Sequence, residues 1–215
     1  MKETTLLDTL INELDCALTS LWGSANKANA WPDPDADEQA AETALSPEQM
    51  RHSAALMRIN MAGELAAQGL YRGQALVARN QETKEFLLQA AQEERQHLAW
   101  CRQRIDELAD APSLFNPLWY SGSLAIGILA GVSGDKWSLG FVAETERQVE
   151  RHLSEHMQQL ADHDDRSHHI LQKMREDETQ HGQAAQDAGG QELPDAVRSA
   201  MSFSAQVMKW VAKKL

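Results

Sequence analysis

Two copies of the sequence Glu-x-x-His constrain this 215-residue chain more than any other feature. They are Glu94–His97 and Glu178–His181, and a single glutamate precedes each at a similar distance: Glu64 lies 30 residues before Glu94, and Glu146 lies 32 residues before Glu178. A helix turns about 100° per residue, so each acid can be placed relative to its apolar neighbours. All four glutamates fall on the apolar face of a helical segment, where side chains are normally buried.

The apolar neighbours identify these four acids individually. Glu94 shares its face with Leu87 and Leu98, for example, and Glu178 shares its face with Leu171 and Met174. The nearby acids Glu144 and Glu176 each lie two residues before one of these four glutamates, about 160° around the helix. They are therefore predicted to be solvated. Glu150 lies on the same face as Glu146 and is a weaker candidate.

A buried carboxylate without compensation is costly, so four of them with two histidines require a common partner. A pair of divalent metal ions supplies it, and carboxylate oxygens with imidazole nitrogens suit iron or manganese. One glutamate from each of two helices and one Glu-x-x-His from each of the other two is the ligand set of ferritin-like di-iron bundles. The candidate metal-binding and catalytic residues are Glu64, Glu94, His97, Glu146, Glu178 and His181. Any one of them alone reads more simply as a surface acid or an ordinary half-buried histidine.

The remaining pattern predicts an all-α fold. Long stretches are rich in Ala, Leu, Gln, Glu and Arg, and no run alternates in the manner of a strand. Ser46-Pro47-Glu48-Gln49 is a helix start with a capping box. We predict a ferritin-like four-helix bundle over residues 46–215 with additional mid-chain and C-terminal helices. Residues 1–45 are predicted to form an N-terminal helix and an acidic linker.

Composition excludes several classes of function. The formal net charge of −12 disfavours nucleic-acid binding. Two cysteines are too few for a disulfide scaffold or a cysteine-rich zinc site. No basic stretch followed by an apolar run is present at the N-terminus, so no secretory signal is expected. The default expectation is a cytoplasmic location with both thiols reduced.

Two segments suggest contact with lipid. Residues 111–134 carry no charge, and small residues at Ser123, Gly127 and Gly131 allow close packing against a neighbouring helix. This segment could line an apolar groove or lie in the membrane interface, pack in the core, or span a bilayer. In the C-terminal helix, Phe203 and Trp210 with their apolar neighbours interleave with lysines. That pattern fits a helix lying on an anionic membrane surface, or an ordinary docked helix.

The motifs resemble those of the demethoxyubiquinone hydroxylase family, and the likeness is closest to its bacterial branch. Arg58–Ala67 resembles the first ligand motif of that family, and Glu93–Cys101 resembles the second. Asn116–Tyr120 and Gly140–Glu146 resemble the region of the third helix. Arg175–His181 resembles the last ligand motif. The likeness extends over about residues 46–215.

This resemblance implies a di-iron monooxygenase of ubiquinone biosynthesis that uses O₂ to hydroxylate 2-polyprenyl-3-methyl-6-methoxy-1,4-benzoquinol. It implies two Fe ions per chain held by the six residues above, with Glu94 and Glu178 bridging. It also implies peripheral attachment to the cytoplasmic side of the inner membrane, an unidentified electron donor and contacts with other ubiquinone-biosynthesis proteins. His152 matches a histidine that tyrosine follows in animal members. Here Leu153 follows, so no redox role of that tyrosine transfers.

Three alternatives remain at the level of sequence. The same metal site could serve iron or peroxide handling on a soluble substrate. The chain could instead be a non-catalytic, quinone-binding adaptor at the membrane surface. Manganese could replace iron, because the ligand set suits both metals.

Overall fold

The computed structural model describes residues 6–23 and 45–214, and this part of the chain is built from α-helices without any β-strand. The predicted all-α class is therefore confirmed. The predicted acidic linker falls almost wholly on residues 24–44, outside the described residues. The helices are α1 (Leu6–Trp22), α2 (Pro47–Val77), α3 (Gln81–Glu107), α4 (Asn116–Val132), α5 (Asp135–Leu160), α6 (Asp165–Asp187) and α7 (Asp195–Ala212).

Local hydrogen bonds define where the long helices begin. The Ser46 hydroxyl accepts from the backbone N–H of Gln49, and the Gln49 side chain accepts from the Ser46 N–H, as the predicted capping box requires. The side chain of Asp164 caps α6 by accepting from the Ser167 N–H at 2.9 Å. Helix α5 begins at Asp135. The carboxylate of Asp135 accepts hydrogen bonds from two backbone N–H groups between α2 and α3. The first residue of α5 therefore also stabilises the turn between those helices.

The bundle is assembled from two helical hairpins, α2 with α3 and α5 with α6. The hairpins meet mainly through α2 and α5, which run antiparallel. Gln74 donates to the carbonyl of Ser138 at 2.7 Å, whereas Asn60, more than three turns earlier on α2, contacts the C-terminal half of α5. A core that includes Met57, Leu65 and Leu171 fills the space between the helices. Each hairpin therefore carries one of the two Glu and Glu-x-x-His combinations that the sequence contains at matched spacing.

Helix α4 packs on the outside of α2 in the same direction, and glycines on both helices make the contact close. A Cβ at Gly73 would lie 2.1 Å from the carbonyl oxygen of Leu124, and one at Gly127 would lie 2.1 Å from that of Leu70. Both distances are far shorter than any real contact, so neither position can carry a side chain without moving the helices apart. The close packing predicted from the small residues of α4 is confirmed.

Three helices each expose several large apolar side chains. These include Leu7, Ile11, Leu14, Leu18 and Trp22 on α1, Leu118, Ile126, Leu129 and Val132 on α4, and Phe203, Val207 and Trp210 on α7. Helix α1 places its polar face inward, where the Glu13 carboxylate accepts two hydrogen bonds of 2.7 Å from Arg72. Within residues 6–23 and 45–214, none of the helices has both the length and the apolar character that crossing a bilayer would require.

Candidate di-metal centre

The six residues predicted from helical spacing converge at the centre of the bundle. One glutamate comes from α2 and one from α5, and a Glu-x-x-His comes from each of α3 and α6. Five of the six side chains are at most 2% exposed, and His181 is only slightly accessible. Their donor atoms form two overlapping groups, each with all its atoms within 4.8 Å of one another: Glu64, Glu94, His97 and Glu178, and Glu94, Glu146, Glu178 and His181.

The two groups of donor atoms share Glu94 and Glu178. One carboxylate from each hairpin therefore belongs to both candidate metal positions, one position for each group. In the first group, His97 Nδ1 lies 3.4 Å from an oxygen of Glu64 and 3.0 Å from one of Glu178. In the second, His181 Nδ1 lies 3.3 Å from an oxygen of Glu178 and 3.9 Å from one of Glu146. Each position therefore has one terminal glutamate, one histidine and two shared carboxylates.

Several donor atoms at this centre are buried and have no hydrogen-bond partner of suitable geometry within residues 6–23 and 45–214. They are Glu64 Oε1, both oxygens of Glu94, His97 Nδ1, Glu146 Oε2 and Glu178 Oε1. Buried polar atoms are almost always hydrogen-bonded, so a concentration of unpaired ones is unusual. Oxygen and imidazole donors without thiolates are what iron or manganese binds. The residues present therefore fit a pair of such ions.

Two acids outside the predicted set orient the histidines. His97 Nε2 lies 3.3 Å from Asp177, and His181 Nε2 lies 2.6 Å from Glu93. Each acid directly precedes the Glu-x-x-His of the opposite hairpin, so the two contacts cross between α3 and α6. A carboxylate on the distal nitrogen fixes the tautomer and leaves Nδ1 as the ligand atom. The sequence contains this signal in the doublets Glu93-Glu94 and Asp177-Glu178, but helical spacing alone does not distinguish these acids from solvated ones.

Two further residues of the site are local consequences of the packing. Tyr71, which shares a helical face with Glu64, donates from its hydroxyl to Glu146 Oε1 at 2.5 Å. Gly182 follows His181, and a Cβ there would lie 3.3 Å from the Cβ of Glu146. A hydroxyl therefore holds the α5 carboxylate from one side, while the absence of a side chain lets α6 approach it from the other.

Without a metal, the pKa values of the residues at this site depart strongly from ordinary values. Burial, together with the charges of Glu94 and Glu178, raises the pKa values of Glu64 and Glu146 well above those of ordinary carboxyl groups. Burial alone would lower the pKa of both histidines, but surrounding carboxylates reverse this. The pKa of His97 is raised by its close contacts with the carboxylates of Asp177 and Glu178, and Glu178 raises the pKa of His181 to about 9. Burial opposes ionisation of Glu178, yet its contacts with both histidines bring its pKa below the ordinary range.

The neighbouring acids follow the predicted pattern with one exception. Glu176 is exposed, and the half-buried Glu150 belongs to neither group of donor atoms. The prediction for Glu144 was wrong, because it is 7% exposed and bonds to Arg147 and Gln148. Its side of α5 is covered by the segment that leads into α7. A Cβ at the neighbouring Gly140 would lie 1.9 Å from the Gln191 carbonyl, which shows how closely that segment approaches.

The large apolar side chains of α4 divide into two groups by their exposure. Leu118, Ile126 and Leu129 are exposed on the outer face. Trp119, Leu124 and Ile128 are half-buried on the side that faces the bundle. The segment 111–134 therefore presents one face to α2 and another, also uncharged, to the outside.

Fold and site together define a ferritin-like helical bundle with a carboxylate- and histidine-rich centre able to hold two metal ions. Comparison with known proteins identifies the family. The family model described as "Ubiquinone biosynthesis protein COQ7" matches residues 51–212, and the chain belongs to this family.

Curated relatives match almost the whole chain. A 3-demethoxyubiquinol 3-hydroxylase of Xanthomonas oryzae pv. oryzae (strain PXO99A) is 53% identical over 209 residues, which cover 97% of this chain and 94% of the relative. A protein of the same name from Chromobacterium violaceum is 52% identical over 203 residues, 94% of this chain and 97% of the relative. The family resemblance inferred from the ligand motifs is confirmed.

Proposed function

We propose that this chain is a di-iron monooxygenase that uses O₂ to hydroxylate 3-demethoxyubiquinol, the 2-polyprenyl-3-methyl-6-methoxy-1,4-benzoquinol, in ubiquinone biosynthesis. The observation that carries the proposal is the pair of donor groups that share Glu94 and Glu178. Support for the substrate comes from relatives named 3-demethoxyubiquinol 3-hydroxylase, which are about half identical over nearly the full chain. The metal site alone would not choose among the reactions of this fold.

The reaction replaces a ring C–H by C–OH. One oxygen atom of O₂ enters the product and the other leaves as water, with two electrons and two protons supplied by a donor. Two iron ions at the centre would supply the binding and reductive cleavage of O₂. Glu64 and His97 would hold one ion and Glu146 and His181 the other, with Glu94 and Glu178 between them. Burial of these side chains excludes water from the reacting atoms, and the contacts to Glu93 and Asp177 keep both imidazoles aligned.

The metal assignment is tested by metal analysis of paired variants. We expect about two irons per chain after anaerobic loading of the unmodified protein, and loss of iron together with hydroxylation in Glu178→Ala. Glu176→Ala is the matched control, because it removes an exposed acid two residues away on the same helix. Full hydroxylation by Glu178→Ala, or equal iron loss in both variants, would contradict the assignment.

The reaction is tested with quinol pools. Cells that lack this chain should accumulate the 6-methoxy precursor, and the iron-loaded protein should convert that precursor with incorporation of one atom from ¹⁸O₂. Rapid oxidation of free Fe²⁺ without quinol conversion would favour iron or peroxide handling instead. Absence of bound iron after anaerobic loading would favour a non-catalytic, quinone-binding adaptor.

A polyprenylated substrate lies in the bilayer, and the exposed apolar side chains indicate how the protein could reach it. The outer face of α4 carries no charge over residues 111–134. On α7, Phe203, Val207 and Trp210 are exposed beside Lys213 and Lys214, and the Lys214 amine lies 4.0 Å from the centre of the Trp210 ring. Exposed aromatic and aliphatic side chains beside lysines suit an anionic membrane surface. We propose peripheral binding at the cytoplasmic face of the inner membrane, where an electron donor and other ubiquinone-biosynthesis proteins would meet the protein.

Vesicle sedimentation tests this membrane contact. The unmodified protein should bind vesicles containing phosphatidylglycerol more tightly than phosphatidylcholine vesicles, and the double variant Phe203→Ser with Trp210→Ser should bind both at least about tenfold more weakly, because each buried apolar side chain contributes about 1.5–3 kcal/mol. Leu88→Ser on α3 is the control, since Leu88 is also exposed but lies outside α4 and α7. Unchanged binding by the double variant would exclude α7 as the contact.

A further inference from the structure

The metal centre comes within reach of solvent at one of its six residues. The side chain of His181 is 14% exposed, whereas those of the other five are at most 2% exposed in the structure of residues 6–23 and 45–214. An ion that arrives from solution must pass at least one of these six side chains before it can lie among them. The exposed edge of His181, on α6, is therefore where an arriving ion first meets the centre.

The imidazole ring of His181 stands between the centre and a carboxylate at the surface. On the inner side, its Nδ1 atom lies 3.3 Å from an oxygen of Glu178 and 3.7 Å from one of Glu94. On the outer side, its Nε2 atom lies 2.6 Å from Oε2 of Glu93. An ion bound at Glu93 would therefore be separated from the two shared carboxylates by the width of one imidazole ring.

Glu93, on α3, is placed to bind a cation at the surface. Its side chain is 39% exposed, and its second oxygen, Oε1, accepts a hydrogen bond of 3.0 Å from the side chain of Gln89, one turn earlier on the same helix. The amide of Gln89 is uncharged, so it orients the carboxylate without neutralising it. Carboxylate oxygens suit divalent ions such as Mn²⁺ and Fe²⁺. An accessible carboxylate against a metal-binding imidazole is thus a first contact for an ion on its way inward.

The equivalent acid at the other histidine is arranged differently. Asp177 contacts Nε2 of His97 at 3.3 Å, as Glu93 contacts His181. Its second oxygen, however, pairs with the ammonium group of Lys173, and the His97 side chain is buried. An ion at Asp177 would therefore meet a positive charge and a ring that solvent does not reach. The two acids occupy matching positions in the sequence, but Glu93 alone of the pair leads from solvent to an accessible ligand.

We propose that Glu93 and His181 form the entry route for divalent metal ions into the centre. Glu93 binds the ion at the surface, and His181 rotates about its side-chain bonds so that the ion passes to the carboxylates behind it. The ring then returns and presents Nδ1 to the ion. This inference rests on the proposed function, because it needs a centre that binds metal.

An entry route determines a rate, whereas alignment of a ligand determines an affinity. Loss of either Glu93 or Asp177 frees the imidazole that it orients, and should weaken metal binding by about 10–100-fold. Loss of Glu93 should in addition slow association, because the attraction that brings the ion to the entry point is removed. The association rate therefore distinguishes the two acids even where their effects on affinity are equal.

Stopped-flow absorption spectroscopy of Co²⁺ binding to the full-length, metal-free protein measures this rate. Nitrogen and oxygen sites bind Co²⁺ at least as tightly as Fe²⁺, and the visible absorption of Co²⁺ changes on binding. Glu93→Gln should lower the association rate constant about tenfold, and the matched control Asp177→Asn should leave it within about twofold. An unchanged rate in Glu93→Gln, or equal slowing in the two variants, would overturn the proposal.

A second pair of variants leaves every acid and histidine in place. Gln89→Lys puts an ammonium group beside Glu93 and should slow association at least about threefold. Gln81 donates to Glu85 at 2.9 Å in the same exposed arrangement, about 12 Å earlier on α3. Gln81→Lys adds the same charge but should leave the rate within about twofold, because that distance exceeds the Debye length at physiological salt. Equal slowing by the two lysines would contradict the route.

The same experiment separates failure of the route from failure of the proposed function. If the unmodified protein binds no Co²⁺, the proposed metal centre is refuted, and the route to it with it. If the unmodified protein binds Co²⁺ normally and Glu93→Gln and Gln89→Lys bind it equally fast, the route alone is refuted and the centre stands.

Discussion

Metal binding should displace about four protons from this protein. With all four carboxylates ionised and both histidines neutral, the buried centre would carry a charge of −4, which two divalent ions would cancel. Without metal, the same neutrality needs protons. The raised pKa values of His97 and His181 supply two positive charges, and the raised pKa values of Glu64 and Glu146 remove two negative ones. Metal ligands must be deprotonated, so these protons leave as the ions bind.

The count sets both a stoichiometry and a pH dependence. About four protons should be released for each pair of ions at pH 7, and the overall affinity for the pair should fall by up to about 10⁴-fold for each unit that the pH is lowered. Titration with Mn²⁺ in buffers of different ionisation enthalpy measures the proton count from the slope of the observed heat. Mn²⁺ avoids oxidation during the experiment and suits the same ligands.

A variant separates this centre from other sites. His181→Gln should lower the release by about one proton, because the histidine with a pKa of about 9 is removed. His169→Gln, which changes an exposed histidine on the same helix, should leave the count unchanged. Release of fewer than about two protons by the unmodified protein, with two ions bound, would refute the protonation scheme.

Three further outcomes follow from other contacts. Tyr71→Phe removes the hydroxyl that bonds to Glu146 and should weaken metal binding by about 10–100-fold in chelator competition. Tyr120→Phe should not, because this buried tyrosine hydroxyl has no hydrogen-bond partner among the described residues. Gly127→Ala should lower the free energy of unfolding by about 1–3 kcal/mol, because its Cβ would overlap the α2 backbone, whereas Gly122→Ala, which meets nothing within 4 Å, should raise it by up to about 1 kcal/mol. The free energy of unfolding of the metal-free protein should fall by up to about 3 kcal/mol as the pH rises from about 6.5 through 9. The folded-state pKa of His181 lies above its unfolded value, so its contribution is fully present only below the unfolded pKa and is lost as the pH passes the folded one.

These three outcomes are each open to contradiction. Equal metal affinities in the two tyrosine variants would show that the hydroxyl of Tyr71 does not support the site. Equal urea midpoints for the two glycine variants would show that α2 and α4 are not in close contact. A melting temperature of the metal-free protein that is as high at pH 10 as at pH 8 would exclude the charged histidine as a stabilising group.

The fold and the six-residue centre were accessible from sequence because they depend on helical periodicity. Position relative to the apolar stripe distinguished Glu178 from Glu176, and the capping box located the start of α2. Periodicity describes one helix at a time, however. The prediction that Glu144 is solvated failed on this account, since the segment around Gln191, which packs against the same helix at Gly140, belongs to a distant part of the chain.

The contacts that tune the site were less accessible for the same reason. Asp177 and Glu93 act on the histidine of the opposite hairpin, and the side chain of Asn60 bonds to that of His152, 92 positions further along the chain. On α4 almost every residue is apolar or small, so the pattern could not assign which of them face α2. Tertiary packing decided these cases.

The central claim is that four helices hold two metal ions between Glu94 and Glu178. Anomalous X-ray diffraction at the iron absorption edge, from crystals loaded with Fe²⁺ under anaerobic conditions, tests it most directly. We expect two peaks about 3.5–4 Å apart, one beside His97 and one beside His181. A single peak, or iron bound away from these side chains, would contradict the di-metal centre.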